Sequence, residues 1–343
     1  MSSIANFDCK PKACIDFLDV EIWTSNHHSY KTIKNRLNKL SKNTLYVYAF
    51  NDQDKHERQY GCTHFIIRFF NLGNLNHLLE PLSSIRHLLD QNKKPMAIQI
   101  ELALDFYKNN DNGWFGNDGI RATAYLVEYL DLPHGTVNKR MYADGNPLPI
   151  PLSRDKVELS ILEGYNFAMN KKRSGKNGTY DIRVDNDYFH AYYKNTDRNK
   201  DGEAIPLPIH LHRPRLEVNK IIHCELDQLG KMIRDIGKLL KLTKQKDDAL
   251  TNIHAQIVDS QFMMLKGQRF DPMQHGVTLG SYSLIRPYRD NSGNIRNLKN
   301  SITKDTKANA SIRAAVKNLA DKFDPQRMAR RSTKSSVMSA VLA

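Results

Sequence analysis

Three short segments of this sequence carry side chains whose types and spacing suit chemistry on a phosphate ester. In the first, residues 97–107 (AIQIELALDFY), Glu101 and Asp105 stand four residues apart among apolar residues. Alternate side chains of a strand share a face, so both carboxylates project to one side. Because Mg²⁺ and Mn²⁺ prefer oxygen ligands of this kind, the spacing predicts a divalent-metal site. An ordinary solvated strand face is the alternative.

The second segment, residues 188–195 (YFHAYYKN), places a tyrosine between two basic side chains. On a strand, His190, Tyr192 and Lys194 share one face and Tyr193 lies on the other. A phenolate can attack a phosphodiester when a nearby cation favours its ionisation. Tyr192 is therefore the predicted nucleophile, with Lys194 beside it. A register shift of one residue would make Tyr193 the nucleophile instead, and aromatic packing within a strand is the alternative for both.

The third segment, residues 213–222 (RPRLEVNKII), places Arg213, Arg215 and Glu217 on one face of a strand. Arginine suits bidentate phosphate binding, and Glu217 could supply a third carboxylate to the metal. A simple surface ion pair between arginine and glutamate is the alternative. The three segments form one site only if their strands share a sheet and these faces lie on the same side.

Histidines just before the third segment offer two further motifs. His210 and His212 flank a leucine, and such a triplet could add His212 to the metal ligands. The spacing H-x-x-R that begins at His212 also matches tyrosine recombinases, with Tyr282 and Tyr288 as later nucleophiles. That motif belongs on a helical scaffold, whereas the proline and the β-rich run that follow His212 favour a strand.

Sequence periodicity predicts the elements that would position these residues. Further strands are predicted over residues 44–50 and 63–70, and helices over residues 75–91, 120–129, 226–240 and 308–323. The predicted fold class is α+β, with an antiparallel-sheet module of palm-like or ferredoxin-like character followed by a basic, mostly helical C-terminal region. The predicted domains are an N-terminal extension (residues 1–40), a catalytic domain (residues 41–222) and a basic helical region with a frayed tail (residues 223–343).

Positive charge is concentrated towards one end of the chain. The 343 residues carry a net charge of +14, with a pI near 9.5. Residues 223–343 hold 21 Lys and Arg against 11 Asp and Glu. A surface this basic favours polyanions, because each neutralised phosphate releases condensed counterions. The predicted DNA-binding residues are Arg213, Lys231, Arg234, Lys238 and Lys241.

Cysteine content and the distribution of apolar residues bear on the compartment. Four cysteines, Cys9, Cys14, Cys62 and Cys224, are too few for a disulfide framework in a chain of this length. The N-terminus lacks a cationic segment followed by an apolar run, and no apolar run approaches the length of a membrane span. These features predict a reduced, cytoplasmic protein with no membrane partner.

The motifs IELALDF, FHAYYK and RPRLEV, in this order and spacing, resemble those of the replication initiators of rolling-circle plasmids (the Rep_trans group) and their phage and mobile-element relatives. That family has strands of the forms RLDLAFDF, FIRIYNK and RVEIEL. The resemblance covers roughly residues 98–222. The positions that match the family's functional residues are Glu101, Asp105, Tyr192, Lys194, Arg215 and Glu217. The first acid is Glu here, where the family has Asp.

This resemblance implies a DNA strand nickase that initiates replication. Its tyrosine would become joined to the 5′ phosphate of the nicked origin strand, leaving a 3′-OH to prime synthesis and a phosphotyrosyl link for later rejoining. The implied cofactor is Mg²⁺ or Mn²⁺, and the implied partner is origin DNA, double-stranded and locally single-stranded. A host helicase or replisome as partner and a homodimer as assembly are compatible with it.

Two other classes of function remain open from the sequence. A non-catalytic origin- or operator-binding protein would use the strands as a scaffold and the basic C-terminal region to bind DNA. An RNA-binding sheet would expose aromatic side chains for base stacking, for which Tyr188, Tyr192 and Tyr193 are candidates.

Overall fold

The computed structural model describes residues 4–41, 43–49, 61–109, 113–114, 117–130, 140–143, 146–148, 180–184, 187–198, 204–245, 288–289, 295–296 and 302–327. The strands are β1 (Cys9–His28), β2 (Leu45–Ala49), β3 (Cys62–Leu72), β4 (Met96–Lys108), β5 (Arg140–Ala143), β6 (Asn146–Leu148), β7 (Tyr180–Val184), β8 (Asp187–Lys194), β9 (Thr196–Arg198), β10 (Ala204–Pro206), β11 (Arg213–Glu225), β12 (Thr243–Gln245), β13 (Tyr288–Arg289), β14 (Ile295–Arg296) and β15 (Ile302–Lys304). The α-helices are α1 (Tyr30–Asn38), α2 (Asn76–Ser83), α3 (Asp118–Tyr129), α4 (Leu229–Gly237) and α5 (Thr306–Ala320). Short 3₁₀ turns cover Ile4–Phe7, Arg86–Leu88, Ile209–Leu211 and Leu226–Gln228.

The chain divides into two compact units, each assembled from three separate segments. The first unit comprises Met1–Pro11, Asp105–Leu216 and Leu239–Ile312, and the second comprises Lys12–Leu104, Glu217–Lys238 and Arg313–Ala343. Strands β4 and β11 contribute residues to both units. The division into domains with separate activities stays a prediction.

In the second unit, the sheet has the strand order β2-β3-β1-β4-β11, with helix α1 packed on β2 and helix α2 on β3. β3 pairs antiparallel with both β1 and β2. Alternation explains why these segments are strands, because Phe65, Ile67 and Phe69 are buried while the residues between them are only half-buried. Helix α1 begins where the side chain of Ser29 accepts a hydrogen bond from the backbone N–H of Thr32, and it buries Ile33 on the same core.

Strand β1 lies between β3 and β4 in this sheet, although the sequence interpretation set residues 1–40 apart as an extension. Its apolar alternation changes phase, since Ile15 and Leu18 are both fully buried although they stand three residues apart. A search for strict alternation of apolar and polar residues therefore does not recognise the middle of β1 as a strand. The segment was missed because its two halves have different phases.

In the first unit, the strand order is β4-β11-β8-β7-β5-β6, and α3 packs on β8. The close approach is made at Gly119, where an added Cβ would lie 2.3 Å from the ring of Tyr193. Tyr125 of α3 is fully buried and its hydroxyl donates to the carbonyl of Thr243 at 3.2 Å. Trp114 donates from its indole N–H to the carbonyl of Phe106 at 3.0 Å.

The predicted α+β class with an antiparallel sheet is confirmed. The predicted strands over residues 44–50, 63–70, 97–107, 188–195 and 213–222 correspond to β2, β3, β4, β8 and β11, and the helices over residues 120–129 and 308–323 correspond to α3 and α5. The helix predicted over residues 75–91 is shorter than expected. It ends at Ser83, after which the hydroxyl of Ser84 donates to the carbonyls of Pro81 and Arg36. The predicted helix over residues 226–240 is a 3₁₀ turn followed by α4.

Helices α4 and α5 belong to a C-terminal region that was predicted to be mostly helical. The described residues of this region also include the short strands β12 to β15, so a mostly helical region is not confirmed. Residues 246–287 and 328–343, which include the tail predicted to be frayed, lie outside the described residues. None of the helices in the described part of the chain combines the length and the apolar composition needed to cross a membrane.

Candidate metal and nucleophile sites

Three carboxylates from three different strands meet in the second unit. Asp16 of β1, Glu101 of β4 and Glu217 of β11 each place a carboxylate oxygen within 4.8 Å of the other two. We call these residues the acid group. Glu217 is buried, whereas Asp16 and Glu101 are half-buried. Two of the three predicted carboxylate ligands, Glu101 and Glu217, are thus brought together.

A chain of amides orients the acid group from one side. Gln99 donates from its side-chain amide to Asn219 Oδ1 at 2.8 Å, and Asn219 donates in turn to Glu101 Oε2 at 3.3 Å. Lys94, just before β4, contacts Glu225 at the end of β11, whereas Gln99 of β4 contacts Asn219 earlier in β11, so the two strands run antiparallel. Partners of this kind fix the orientation of metal-binding carboxylates.

The acid group fits a hard divalent cation. Oxygen ligands lie about 2.0–2.6 Å from Mg²⁺ or Ca²⁺, so ligand atoms around one ion are at most about 5 Å apart. The separations within the acid group satisfy this limit. Negative charges this close repel one another, and a bound cation would relieve that repulsion. Among the described residues, this is the group of three donor side chains that could hold a metal.

Asp105, predicted as a metal ligand, is instead held by two arginines in the first unit. Arg215 donates to both of its oxygens, from Nε at 2.5 Å and from Nη2 at 2.8 Å. Arg213 Nε lies 3.0 Å from Asp105 Oδ2, and all three side chains are buried. Burial by itself would raise the pKa of Asp105, but the charges and hydrogen bonds of Arg215, then the charge of Arg213, hold the pKa below its ordinary value. The carboxylate is therefore ionised and paired, and we assign it to the arginines.

The two tyrosines of β8 point to different sides of the strand. The ring of Tyr193 packs against Gly119 of α3 and meets the His212 ring edge-on, with centroids 6.1 Å apart. Alternation places Tyr192 on the opposite side, together with Lys194. Tyr192 is half-buried. Lys194 is buried, lies 3.5 Å from a carboxylate oxygen of Asp197 and helps to lower the pKa of Asp105. This arrangement favours Tyr192 over Tyr193 as the nucleophile.

His212 is held as a structural residue of the loop before β11. Its Nε2 lies 2.8 Å from the carbonyl oxygen of Leu207, and its side chain is buried. Burial lowers the pKa of His212, so the ring is neutral at pH 7. His210 is exposed. Neither histidine belongs to a group of three metal-binding side chains among the described residues.

The predicted DNA-binding cations have different surroundings. Arg213 is buried against Asp105, so it does not form part of the surface. Arg234 pairs with Asp321 at 3.0 Å and Asp324 at 3.2 Å, which ties α4 to the end of α5. Lys238 pairs with Asp235 in the adjacent turn. Lys231 and Lys241 are exposed. Of the five predicted residues, these two lysines are the best placed to contact phosphates.

Sequence reasoning missed Asp16. The residue follows a cysteine pair in a segment that was set apart as an extension, and the change of phase in β1 hid its strand. The available signal was the apolar run from Ile15 to Ile22, interrupted by acids. Of the tyrosines considered for the recombinase motif, Tyr282 lies outside the described residues and Tyr288 begins β13.

Comparison with protein-family models, with curated proteins and with solved structures finds no match for this chain.

Proposed function

We propose that this protein is a metal-dependent DNA strand nickase that initiates rolling-circle replication, with Tyr192 as its nucleophile. The observation that carries the proposal is the acid group. Two of its residues, Glu101 and Glu217, occupy the positions that resemble the conserved acids of rolling-circle initiators, and a third acid, Asp16, completes the set. The metal assignment therefore moves from Asp105 to Asp16.

The acid group is the proposed site for Mg²⁺ or Mn²⁺. A bound divalent ion would act as a Lewis acid that polarises a phosphate oxygen. The protein's own contribution is to hold three carboxylates in place, with Asn219 orienting Glu101 through its amide. Asp16 comes from β1, so the N-terminal strand is part of the proposed function.

The proposed reaction is a transesterification at phosphorus. The phenolic oxygen of Tyr192 forms a bond to phosphorus while the bond to the 3′ oxygen breaks. The phenol proton passes to water, and the departing oxygen takes up a proton to become a 3′-OH. The product is a 5′-phosphotyrosyl link that preserves the ester for rejoining. Lys194, on the same face of β8 as Tyr192, is the proposed source of positive charge that offsets the charge developing on the phosphate oxygens, whereas the two arginines stay paired with Asp105.

Origin DNA is the proposed substrate, and the cytoplasm the proposed compartment. The net charge of +14 and the exposed lysines near α4 support a polyanionic partner. A non-catalytic origin-binding protein would share these features. It would have no use for an ionisable tyrosine or for the acid group, and this difference can be measured.

The test uses supercoiled DNA that contains the encoding gene with its flanking sequence, and the same DNA in single-stranded form. With Mg²⁺ or Mn²⁺, we expect conversion to open circles and a DNA–peptide adduct on Tyr192 in mass spectrometry. Tyr192→Phe should lose cleavage entirely and keep its affinity for DNA, because only the attacking oxygen is removed. Tyr193→Phe is the matched control and should keep cleavage.

The metal is tested in the same preparations by titration with Mn²⁺, using its electron paramagnetic resonance signal. Glu217→Gln should weaken Mn²⁺ binding by at least about tenfold, since a neutral amide replaces a charged ligand. Glu225→Gln, which alters an exposed acid on the same strand, should leave it unchanged. Cleavage by the Tyr192→Phe variant, an adduct on another residue, or tight DNA binding without cleavage by the unaltered protein would each contradict the proposal.

A further inference from the structure

Four aromatic side chains form a continuous line across three strands of the second unit. Phe17 of β1 pairs in register with Phe70 of β3, and their ring centroids are 6.4 Å apart. Phe70 meets Tyr46 of β2 edge-on at 5.4 Å, and Tyr46 lies 6.4 Å from Tyr48. We call these four residues the aromatic ladder.

The ladder lies on the side of the sheet opposite the helical core. On β2, Leu45 and Val47 are buried, whereas the intervening Tyr46 is half-buried and Tyr48 is 44% exposed. Burial beside the sheet raises the pKa of Tyr48, so its ring stays a neutral phenol at physiological pH. Phe17 is buried, so Phe70, Tyr46 and Tyr48 are the rings of the ladder that reach solvent.

Cations accompany the rings of the ladder. The guanidinium of Arg68 lies 4.0 Å from the centroid of the Phe17 ring, and Lys34 Nζ lies 5.6 Å from that of Tyr46. Two hydrogen bonds from Arg68 to Asp19, both 2.7 Å long, fix the guanidinium in this position. Arg68 also interacts electrostatically with Glu101 of the acid group, so the ladder and the acid group share a neighbour.

We infer that the aromatic ladder binds unpaired nucleobases of single-stranded DNA, an inference that rests on the proposed function. Flat rings accept stacked bases of any sequence, and Lys34 beside Tyr46 can attract the phosphates that join those bases, whereas the charge of Arg68 is balanced by Asp19. An apolar protein partner would not need a cation beside the rings. The ladder thereby adds to the proposed nickase a platform for the melted strand beside its acid group.

The test measures binding of a fluorescein-labelled oligothymidylate of roughly 12 nucleotides by anisotropy. EDTA and the Tyr192→Phe background remove any cleavage. Base stacking on one aromatic side chain is worth roughly five- to a hundredfold in affinity, so Tyr48→Ala and Tyr46→Ala should each weaken binding by about tenfold. Tyr48→Phe should bind like the parent, because it keeps the ring.

Tyr30→Ala is the matched control, since Tyr30 is 48% exposed on α1 but does not belong to the ladder. It should leave binding unchanged. A second measurement needs no ladder variant: an oligonucleotide with 5-iododeoxyuridine should crosslink to Tyr46 or Tyr48 on irradiation. Equal losses for ladder and control variants, or crosslinks only elsewhere, would overturn the inference. Loss of self-association in the ladder variants, without loss of DNA binding, would identify the ladder as an interface between copies.

The outcome is separable from that of the proposed function. Single-strand binding that depends on the ladder, together with a failure to cleave, would remove the nickase and keep the platform. Cleavage that depends on Tyr192, with no effect of the ladder variants, would do the reverse.

Discussion

At the residue scale, two acids on one strand have different partners and hence different roles. Glu101 joins Asp16 and Glu217, whereas Asp105 accepts hydrogen bonds from Arg215 and ion-pairs with Arg213. The sequence predicted that both acids lie on one face of β4, and both do contact side chains of the neighbouring strand β11. The alternation of side chains along β4 could not predict which charged residues of β11 lie next to each carboxylate. Asp105 therefore looked like a ligand although it is a salt-bridged anchor.

The buried ion pairs of Asp105 predict how stability depends on pH. Its pKa lies below the ordinary value, so its contribution is complete above about pH 4 and is lost as pH falls through the lowered value. Asp105→Asn should cost about 3–5 kcal/mol near pH 7, because it leaves two guanidiniums buried without their anion. The difference from the unaltered protein should shrink below about pH 4.

Urea unfolding at a series of pH values measures this dependence. Asp227→Asn, which changes an exposed acid, serves as the control and should alter stability by less than about 0.5 kcal/mol. A destabilisation by Asp105→Asn that stays constant from pH 7 to pH 3 would contradict the assignment of the charge pairing.

At the element scale, the strands with uniform alternation were predicted well and the interrupted ones were not. β4, β8 and β11 were predicted to within a few residues, because each keeps a regular apolar face. β1 was missed, since its alternation changes phase near Asp16, and α2 was predicted too long. The residue types on a helix face also do not reveal which side chains of other helices form ion pairs with them. Arg234 looked like a DNA-binding cation but bridges α4 to acids at the end of α5.

The packing of α4 on α5 depends on small residues. At Gly237 an added Cβ would lie 2.4 Å from Val316 Cγ1, a branched side chain with little freedom to move. Gly237→Ala should therefore destabilise the protein by about 1–3 kcal/mol through overpacking, despite the better helix propensity of alanine. Val316→Ala in the same chain should recover part of that loss, giving a non-additive double-mutant cycle.

Chemical denaturation of the two single variants and the double variant measures this coupling. Gly73→Ala is a suitable control, since the added Cβ would meet only the ring of His77 at 3.2 Å. Additive effects of the two substitutions would show that the helices do not meet at this point.

At the scale of the whole molecule, the charge of +14 predicts DNA binding that depends steeply on salt. Each phosphate contact contributes about 0.9 to the slope of log K against log salt concentration. Lys231→Gln and Lys241→Gln should each reduce the steepness of that slope by about one, because these lysines are exposed. Arg234→Gln should instead lower the unfolding free energy, because its guanidinium pairs with Asp321 and Asp324.

Binding of a labelled 20-base-pair duplex, titrated over a range of NaCl concentrations, gives the slopes. An unchanged slope for both lysine variants would place the DNA contacts elsewhere on the chain.

The interleaving of the two compact units has a practical consequence for anyone shortening this protein. A fragment that stops at Ile222 keeps the acid group but lacks α4 and α5, and it also loses the residues after Leu239 that complete the first unit. Cutting instead before Lys12 removes the first segment of the first unit, and cutting within β4 removes pieces of both units. No single truncation separates one complete unit from the other. Point substitutions are therefore better suited than truncations to separating the roles of the two units.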